Sequence, residues 1–159
     1  MAANKLYFRV PDYTIAGSDN DGWVDAFSRY GIVFEETALS KLMTPAPNKE
    51  VVENKSDLEH GKRVWRDYND IRKDERNVSL TFNIIASSKT DFMTKYGRFC
   101  DEILDKGFFD IKVSYWEGKV FRMTYQDCTQ FTEFNQNIGK FVLNLNEPDP
   151  TNRDEENNW

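Results

Sequence analysis

Histidine and cysteine are almost missing from this sequence, which has His60 alone and two cysteines, Cys100 and Cys128, among 159 residues. That supply excludes a disulfide framework and a Cys/His zinc site, both of which need several ligands at short spacings. Phosphate-cradling loops are missing as well: the eight glycines are scattered, and neither G-x-G-x-x-G nor G-x-x-x-x-G-K-S/T occurs. No nucleophile-elbow motif is present to pair with His60. Asp19-Asn20-Asp21-Gly22 is the one acidic cluster that hints at calcium, but it lacks the glutamate that closes an EF-hand loop and reads as a turn. No apolar run approaches the length of a membrane span, and Met1 to Val10 has no signal-peptide core. A reducing compartment is therefore expected, in which the Asn-x-Ser sequons at Asn54 and Asn77 have no meaning. The expectation is a protein that is not an enzyme, with no catalytic, cofactor or metal site and no membrane partner.

A basic surplus is also lacking. Lys and Arg number 21 against 27 Asp and Glu, a net charge of −6, whereas a general nucleic-acid binder needs excess cations to displace counterions. What the chain does have is aromatic residues, 14% of the total with twelve Phe, against an apolar fraction of only 39%. A single domain of this length can bury a sizeable core, and here the core must lean on Phe and Tyr.

The second half carries clear periodicity. Val78, Leu80, Phe82 and Ile84 alternate with polar residues, which predicts a strand with one buried face. Ser87 and Ser88 stand where a helix wants a cap. Phe92, Tyr96, Phe99, Cys100 and Ile103 then fall on one side of a helix over about 89–105, with Asp91, Lys95, Arg98, Asp101 and Glu102 facing water and Gly107 ending it. Cys100 reads as a buried inert thiol, and Cys128, without a cationic neighbour in sequence, as unreactive. Phe109, Ile111, Val113 and Tyr115 make one strand and Phe121, Met123 and Tyr125 the next, joined by a glycine-containing turn. After a polar stretch carrying Phe131 and Phe134, a last strand runs through Phe141, Leu143 and Leu145. The class is α+β, mainly antiparallel β, with one packed helix.

The first half is less regular. Lys5 to Val10 suits a strand, Trp23 to Phe34 is broken by Gly31, and Glu35 to Met43 suits a short helix with Ala38, Leu39, Leu42 and Met43 on one side, stopped by Thr44-Pro45-Ala46-Pro47. Residues 49–76 form a long charged arm or loop, of a length that compact domains keep mainly for function. Within it Lys62, Arg63, Arg66, Arg72, Lys73 and Arg76 interleave with Trp65 and Tyr68, while Asp67, Asp70, Asp74 and Glu75 cancel most of that charge. Arg and aromatics of mixed surroundings suit a protein interface, so Lys62, Arg63, Trp65, Arg66 and Tyr68 are the candidate oligomer contacts. The same residues leave open a merely solvated arm and, as a different class, a monomeric β-barrel-like module holding single-stranded nucleic acid by charge and stacking. His60, in Leu58-Glu59-His60-Gly61-Lys62, reads as solvated or as an interface contact. Residues 1–146 form one domain, and the acidic, Asn-rich 147–159 reads as a flexible tail.

Several stretches taken in order resemble the distal tail and tail-tube-like proteins of phages and prophages: Thr44-Pro45-Ala46-Pro47-Asn48-Lys49-Glu50, Glu53-Asn54-Lys55-Ser56, Glu59-His60-Gly61-Lys62, Val78 to Ile84, Asp91-Phe92 with Lys95-Tyr96, Lys140 to Leu145, and Glu147 to Arg153. The similarity runs from about Lys5 to Arg153. It implies a β-sandwich or barrel of the tail-tube type flanked by a helix. It also implies a homo-oligomeric, hexameric ring, with arms reaching neighbouring subunits and an axial channel through which DNA passes without specific binding. The implied setting is the virion tail, among other tail proteins, after synthesis in the bacterial cytoplasm. An acidic channel wall would repel the duplex and keep it sliding. The chain ends before the second, carbohydrate-binding-like domain of many distal tail proteins, so the resemblance implies a connector or tube role and not receptor binding.

Overall fold

A computed structural model describes residues 5–49, 53–55, 60, 62–64, 72–114, 116–135, 137–157 and 159. In chain order the elements are β1 (Leu6–Arg9), β2 (Val24–Asp25), α1 (Ala26–Tyr30), β3 (Ile32–Phe34), α2 (Glu36–Leu42), β4 (Glu53–Lys55), β5 (Lys62–Val64), β6 (Arg76–Ile85), α3 (Lys89–Glu102), β7 (Phe108–Val113), β8 (Phe121–Asn135) and β9 (Ile138–Glu147). Seven strands make one open antiparallel sheet in the order β2-β1-β7-β8-β9-β6-β3, while β4 and β5 pair apart from it. The expected α+β, mainly antiparallel class is what the chain adopts.

Period-two sequence builds the centre of the sheet. Val78, Leu80, Phe82 and Ile84 on β6 stand against Leu145, Leu143, Phe141 and Gly139 on β9, residue for residue. The cross-strand pair Phe82 and Phe141 brings its ring centroids to 5.8 Å. On the buried face of the sheet lies α3. Ser88 caps it by accepting from the Asp91 N–H at 3.1 Å, and Asp91 reaches back to accept from the Ser87 N–H and hydroxyl, a reciprocal cap that fixes the start. The helix gives way after Glu102 to a 3-10 turn, Leu104–Lys106, which Gly107 closes in the left-handed conformation at φ 83°.

Phe92 and Phe99 of α3 are buried as expected. Phe92 can approach because β9 carries Gly139 beneath it: a Cβ there would stand 2.7 Å from the ring. Gly31 is similarly required. Its φ is 67° and a Cβ would meet the Ile85 carbonyl oxygen at 2.4 Å, so the α1-to-β3 corner is closed to other residues.

The structure corrects several expectations. Glu102 does not face water: it is partly buried and accepts from Arg29 and from the Tyr30 hydroxyl. Met43 is exposed, whereas Ala38 and Leu42 of α2 are buried. The polar stretch after Tyr125 is strand: β8 continues to Asn135 and pairs with β9 throughout. Its period is disguised by register shifts at Tyr125/Asp127, Cys128/Gln130 and Glu133/Asn135. The extra residues put Tyr125, Cys128 and Phe131 opposite Leu145, Leu143 and Phe141, so a spacing of three on β8 answers a spacing of two on β9.

Candidate assembly surfaces

The arm leaves the core through a short antiparallel root. Asn48 bridges Lys73, the Lys49 N–H donates to the Arg72 carbonyl at 2.7 Å, and the Asp74 N–H donates to the Pro47 carbonyl at 2.8 Å. Beyond it, Glu53–Lys55 pairs with Lys62–Val64, so the charged stretch contains a hairpin. Of the candidate contacts, Lys62 and Arg63 lie on β5, opposite Lys55 and Asn54. Trp65, Arg66 and Tyr68 lie outside the described residues. His60 is exposed at a bend between the two hairpin strands.

Directly behind the root sits a buried ionic cluster that no local pattern announces. Glu147, at the end of β9, is wholly buried and lies 3.0 Å from the Nε of Arg76, itself 4% exposed. Arg153 meets the same carboxylate at 2.7 and 3.0 Å. The Nη1 of Arg76 donates to the carbonyls of Leu42 at 2.8 Å and Thr44 at 2.6 Å, and so satisfies the C-terminal end of α2. Burial holds the Arg76 guanidinium below its usual pKa, with Glu147 opposing that shift. One side chain thereby joins the residues before the arm, the residues after it, and the far end of the sheet.

The second surface is an edge. Only Phe121 to Thr124 of β8 pair with β7, and the Tyr125 N–H donates to the Gly107 carbonyl. From Gln126 to Asn135 the side of β8 away from β9 has no strand partner among the described residues. A long unpaired edge is a template for another strand. Beside it, Tyr96, Phe99, Cys100, Leu104, Tyr125, Cys128, Phe131 and Phe141 border a cavity of about 170 Å3 between α3 and the sheet. Phe131 is 43% exposed there, with its ring 5.4 Å from that of Tyr96. Cys100 is half-buried, and burial pushes its thiol pKa up; burial also pushes Tyr96 up to about 12. Cys128 is exposed, and the two cysteines share this one groove.

The carboxy-terminal stretch, expected as a flexible tail over 147–159, is tied across β7 and β8. The Val120 N–H donates to the Arg153 carbonyl at 2.7 Å, and the Glu155 N–H to the Gly118 carbonyl at 2.9 Å. Arg122 donates to the carbonyls of Asn152 and Asp154 at 2.8 and 3.0 Å. The Trp159 indole donates to Asp110 at 2.9 Å, and Arg9 holds the other oxygen of the same buried carboxylate. Asp12, Asp21, Glu155 and Glu156 border the polar groove, about 840 Å3, beside this tie. Asp19 to Gly22 is the expected turn: the Asp19 carboxylate accepts from the N–H groups of Asp21 and Trp23.

Acid acts on these ties with opposite signs. Burial raises Glu102, but the hydrogen bonds from Arg29 and Tyr30 outweigh it and hold the carboxyl below its usual value. Its stabilisation is complete above the unfolded glutamate pKa and is lost as pH falls through the depressed folded value. Burial raises Asp110 above its usual value despite Arg9, so protonation there favours the folded state. Glu102→Gln is expected to flatten the acid limb of stability against pH, and Asp110→Asn to steepen it. Urea midpoints between pH 3 and pH 7 check both.

Among the described residues no group of three His, Cys, Asp or Glu side chains could hold a metal ion, and no helix is long and apolar enough to cross a membrane.

No protein-family model and no curated protein matches the chain. Solved structures share its fold. Over 94% of this chain and 51% of the other, it is similar to the SPP1 Dit (gp 19.1) protein, described as a paradigm of the hub adsorption apparatus in phages infecting Gram-positive hosts, with a TM-score of 0.56 and 11% identity. It is also similar to a chain of the phage p2 baseplate in its activated conformation with Sr, over 89% of this chain and 44% of that one, with a TM-score of 0.52 and 11% identity. The same baseplate with Ca gives a TM-score of 0.50 over the same shares at the same identity. The chain thus spans about half the length of the proteins whose fold it shares.

Proposed function

We propose that this protein is a structural subunit of a phage or prophage tail. It assembles with its own copies into a ring, hexameric by the resemblance to distal tail proteins, that connects or extends the tail tube around a DNA channel. The observation that carries the reading is the correspondence of nearly the whole chain with the fold of baseplate and hub proteins. Two features of this chain suit assembly. The unpaired edge of β8 offers backbone groups beside exposed Phe131, and the β4–β5 arm leaves the core on a root held by buried charge. Different surfaces that meet head to tail close a ring if the rotation between copies allows it. Neighbouring tail proteins are the other partners of such a ring, and its place is the virion tail.

Deleting Val51 to Arg72 tests the arm. The Asn48–Lys73 bridge, the Asp74-to-Pro47 hydrogen bond and the Arg76–Glu147 cluster remain, with only the Lys49–Arg72 bond of the root lost, so the core is expected to fold with a nearly unchanged denaturation profile while rings disappear from sedimentation. Rings that persist without the arm would place the subunit contact elsewhere. Affinity of the intact chain for single-stranded DNA that falls steeply with salt would instead favour the monomeric binding module.

A further inference from the structure

Cys100 and Cys128 are the only cysteines in the chain, and the fold brings them from different elements to one groove. Two rows of side chains meet there. Along α3 the row is Phe92, Tyr96 and Cys100, one helical turn apart; along β8 it is Phe131, Cys128 and Tyr125, opposite Phe141, Leu143 and Leu145 of β9. The Phe131 ring lies 6.4 Å from that of Phe92 and 5.4 Å from that of Tyr96, which anchors one end of both rows. The other end is anchored where the Tyr125 N–H donates to the Gly107 carbonyl at 2.9 Å. The rows therefore run in the same direction and advance at nearly equal pitch, about 5.4 Å for a helical turn and about 7 Å for two residues of the neighbouring strand. Cys100 follows Tyr96 by one turn, and Cys128 follows Phe131 by one inward-facing step. The two thiols are thus the next facing pair after Tyr96 and Phe131, and both border the cavity between helix and sheet.

Their surroundings give them different roles. Cys128 is exposed, on the stretch of β8 that has no β7 partner among the described residues. Cys100 is half-buried. Burial is the main reason that its thiol pKa stands above the usual value; a hydrogen bond with the Tyr96 side chain opposes the rise, and Cys128 is near enough for its charge to add to it. Exposure makes Cys128 the thiol that meets a reagent in solution, and its place inside the groove suits Cys100 to close on the product.

We infer that Cys100 and Cys128 are a modification site, a dithiol that small disulfides of the glutathione class oxidise to an internal disulfide. The Cys128 thiolate attacks one sulfur of the small disulfide. That S–S bond breaks, a mixed disulfide forms on Cys128, and the first small thiolate leaves and takes up a proton. The Cys100 thiolate then attacks the Cys128 Sγ, and the second small thiolate leaves. Two protein thiols are oxidised to one disulfide, and the small disulfide is reduced to two thiols. The new bond fastens the last turn of α3 to the half of β8 that β7 does not reach. It also closes the chain from Cys100 to Cys128 into a loop, which restricts the unfolded state. Stability gained this way is present in an oxidising medium and withdrawn in a reducing one. The bond requires one chain only, so the inference goes beyond the ring reading and does not depend on it.

The test incubates the reduced full chain with oxidised glutathione, at a dilution that favours single chains, and reads intact mass and a peptide map without reductant. The expected product is one chain lighter by two hydrogens, with the peptides of Cys100 and Cys128 joined. Its urea midpoint is expected to lie above that of the reduced protein and to return to it on adding dithiothreitol. Cys100→Ser is expected to stop at the mixed disulfide, one glutathione heavier, with no gain in midpoint. An unsubstituted chain that keeps glutathione on Cys128 would show that the two thiols do not meet, and would overturn the inference. Chains joined to one another through Cys128, or thiols that never react, would overturn it equally. The readout is the mass of the denatured chain, so none of these results bears on whether the protein forms rings.

Discussion

Phe99→Ala is expected to cost about 3–5 kcal/mol of folding stability, the range for emptying a buried aromatic site. Phe99 is fully buried on α3, and its ring lies 5.8 Å from Phe8 on β1, 5.6 Å from Tyr30 on α1 and 5.6 Å from Phe141 on β9. Those neighbours sit on three different elements, so no single shift can close the space that alanine would leave. Phe8 also packs edge-on to Phe109, which fixes it from the other side. Denaturant midpoints at constant slope would give the value. A loss below about 1 kcal/mol would mean that α3 does not seat against the sheet as described.

Glu147→Ala is expected to be as damaging, again about 3–5 kcal/mol, for an electrostatic reason. The carboxylate stands between Arg76 and Arg153, and both guanidiniums also lie over the Phe121 ring, at 5.7 and 5.0 Å from its centroid. Without Glu147, Arg76 remains buried with its charge uncompensated, still bound to the end of α2. Removing both charges avoids that penalty. The double variant Arg76→Met with Glu147→Leu should therefore recover much of the loss in stability, although it removes the donor that holds the Leu42 and Thr44 carbonyls. The same denaturation series reads both variants. Equal losses in the single and double variants would show that the loss comes from packing and not from the buried charge.

Legibility from sequence followed locality. The strand Val78 to Ile84 and the helix with Phe92 and Phe99 were readable because their burial repeats at fixed short periods that every residue obeys. The outer half of β8 was not, since each register shift adds a residue and turns a period of two into steps of three. The five-residue α1 escaped notice within Trp23 to Phe34 because it is too short for a period. Its signal was the Asp25 side chain, which caps it, and Gly31, which ends it. Glu102 looked like a solvent-facing helical charge, and only the fold brings Arg29 to it. The Arg76–Glu147–Arg153 cluster joins residues far apart in the chain, and no spacing rule announces it. Of the surfaces suited to assembly, the arm was legible from its length and charge. The free β8 edge was hidden with the strand that forms it.

The central claim is self-assembly, and the mass of the native protein in solution tests it most directly. Native mass spectrometry across a concentration series is expected to show one discrete ring-sized oligomer, six subunits by the resemblance, that gains population with concentration at the expense of the single chain. A chain that stays monomeric at every concentration would contradict the account.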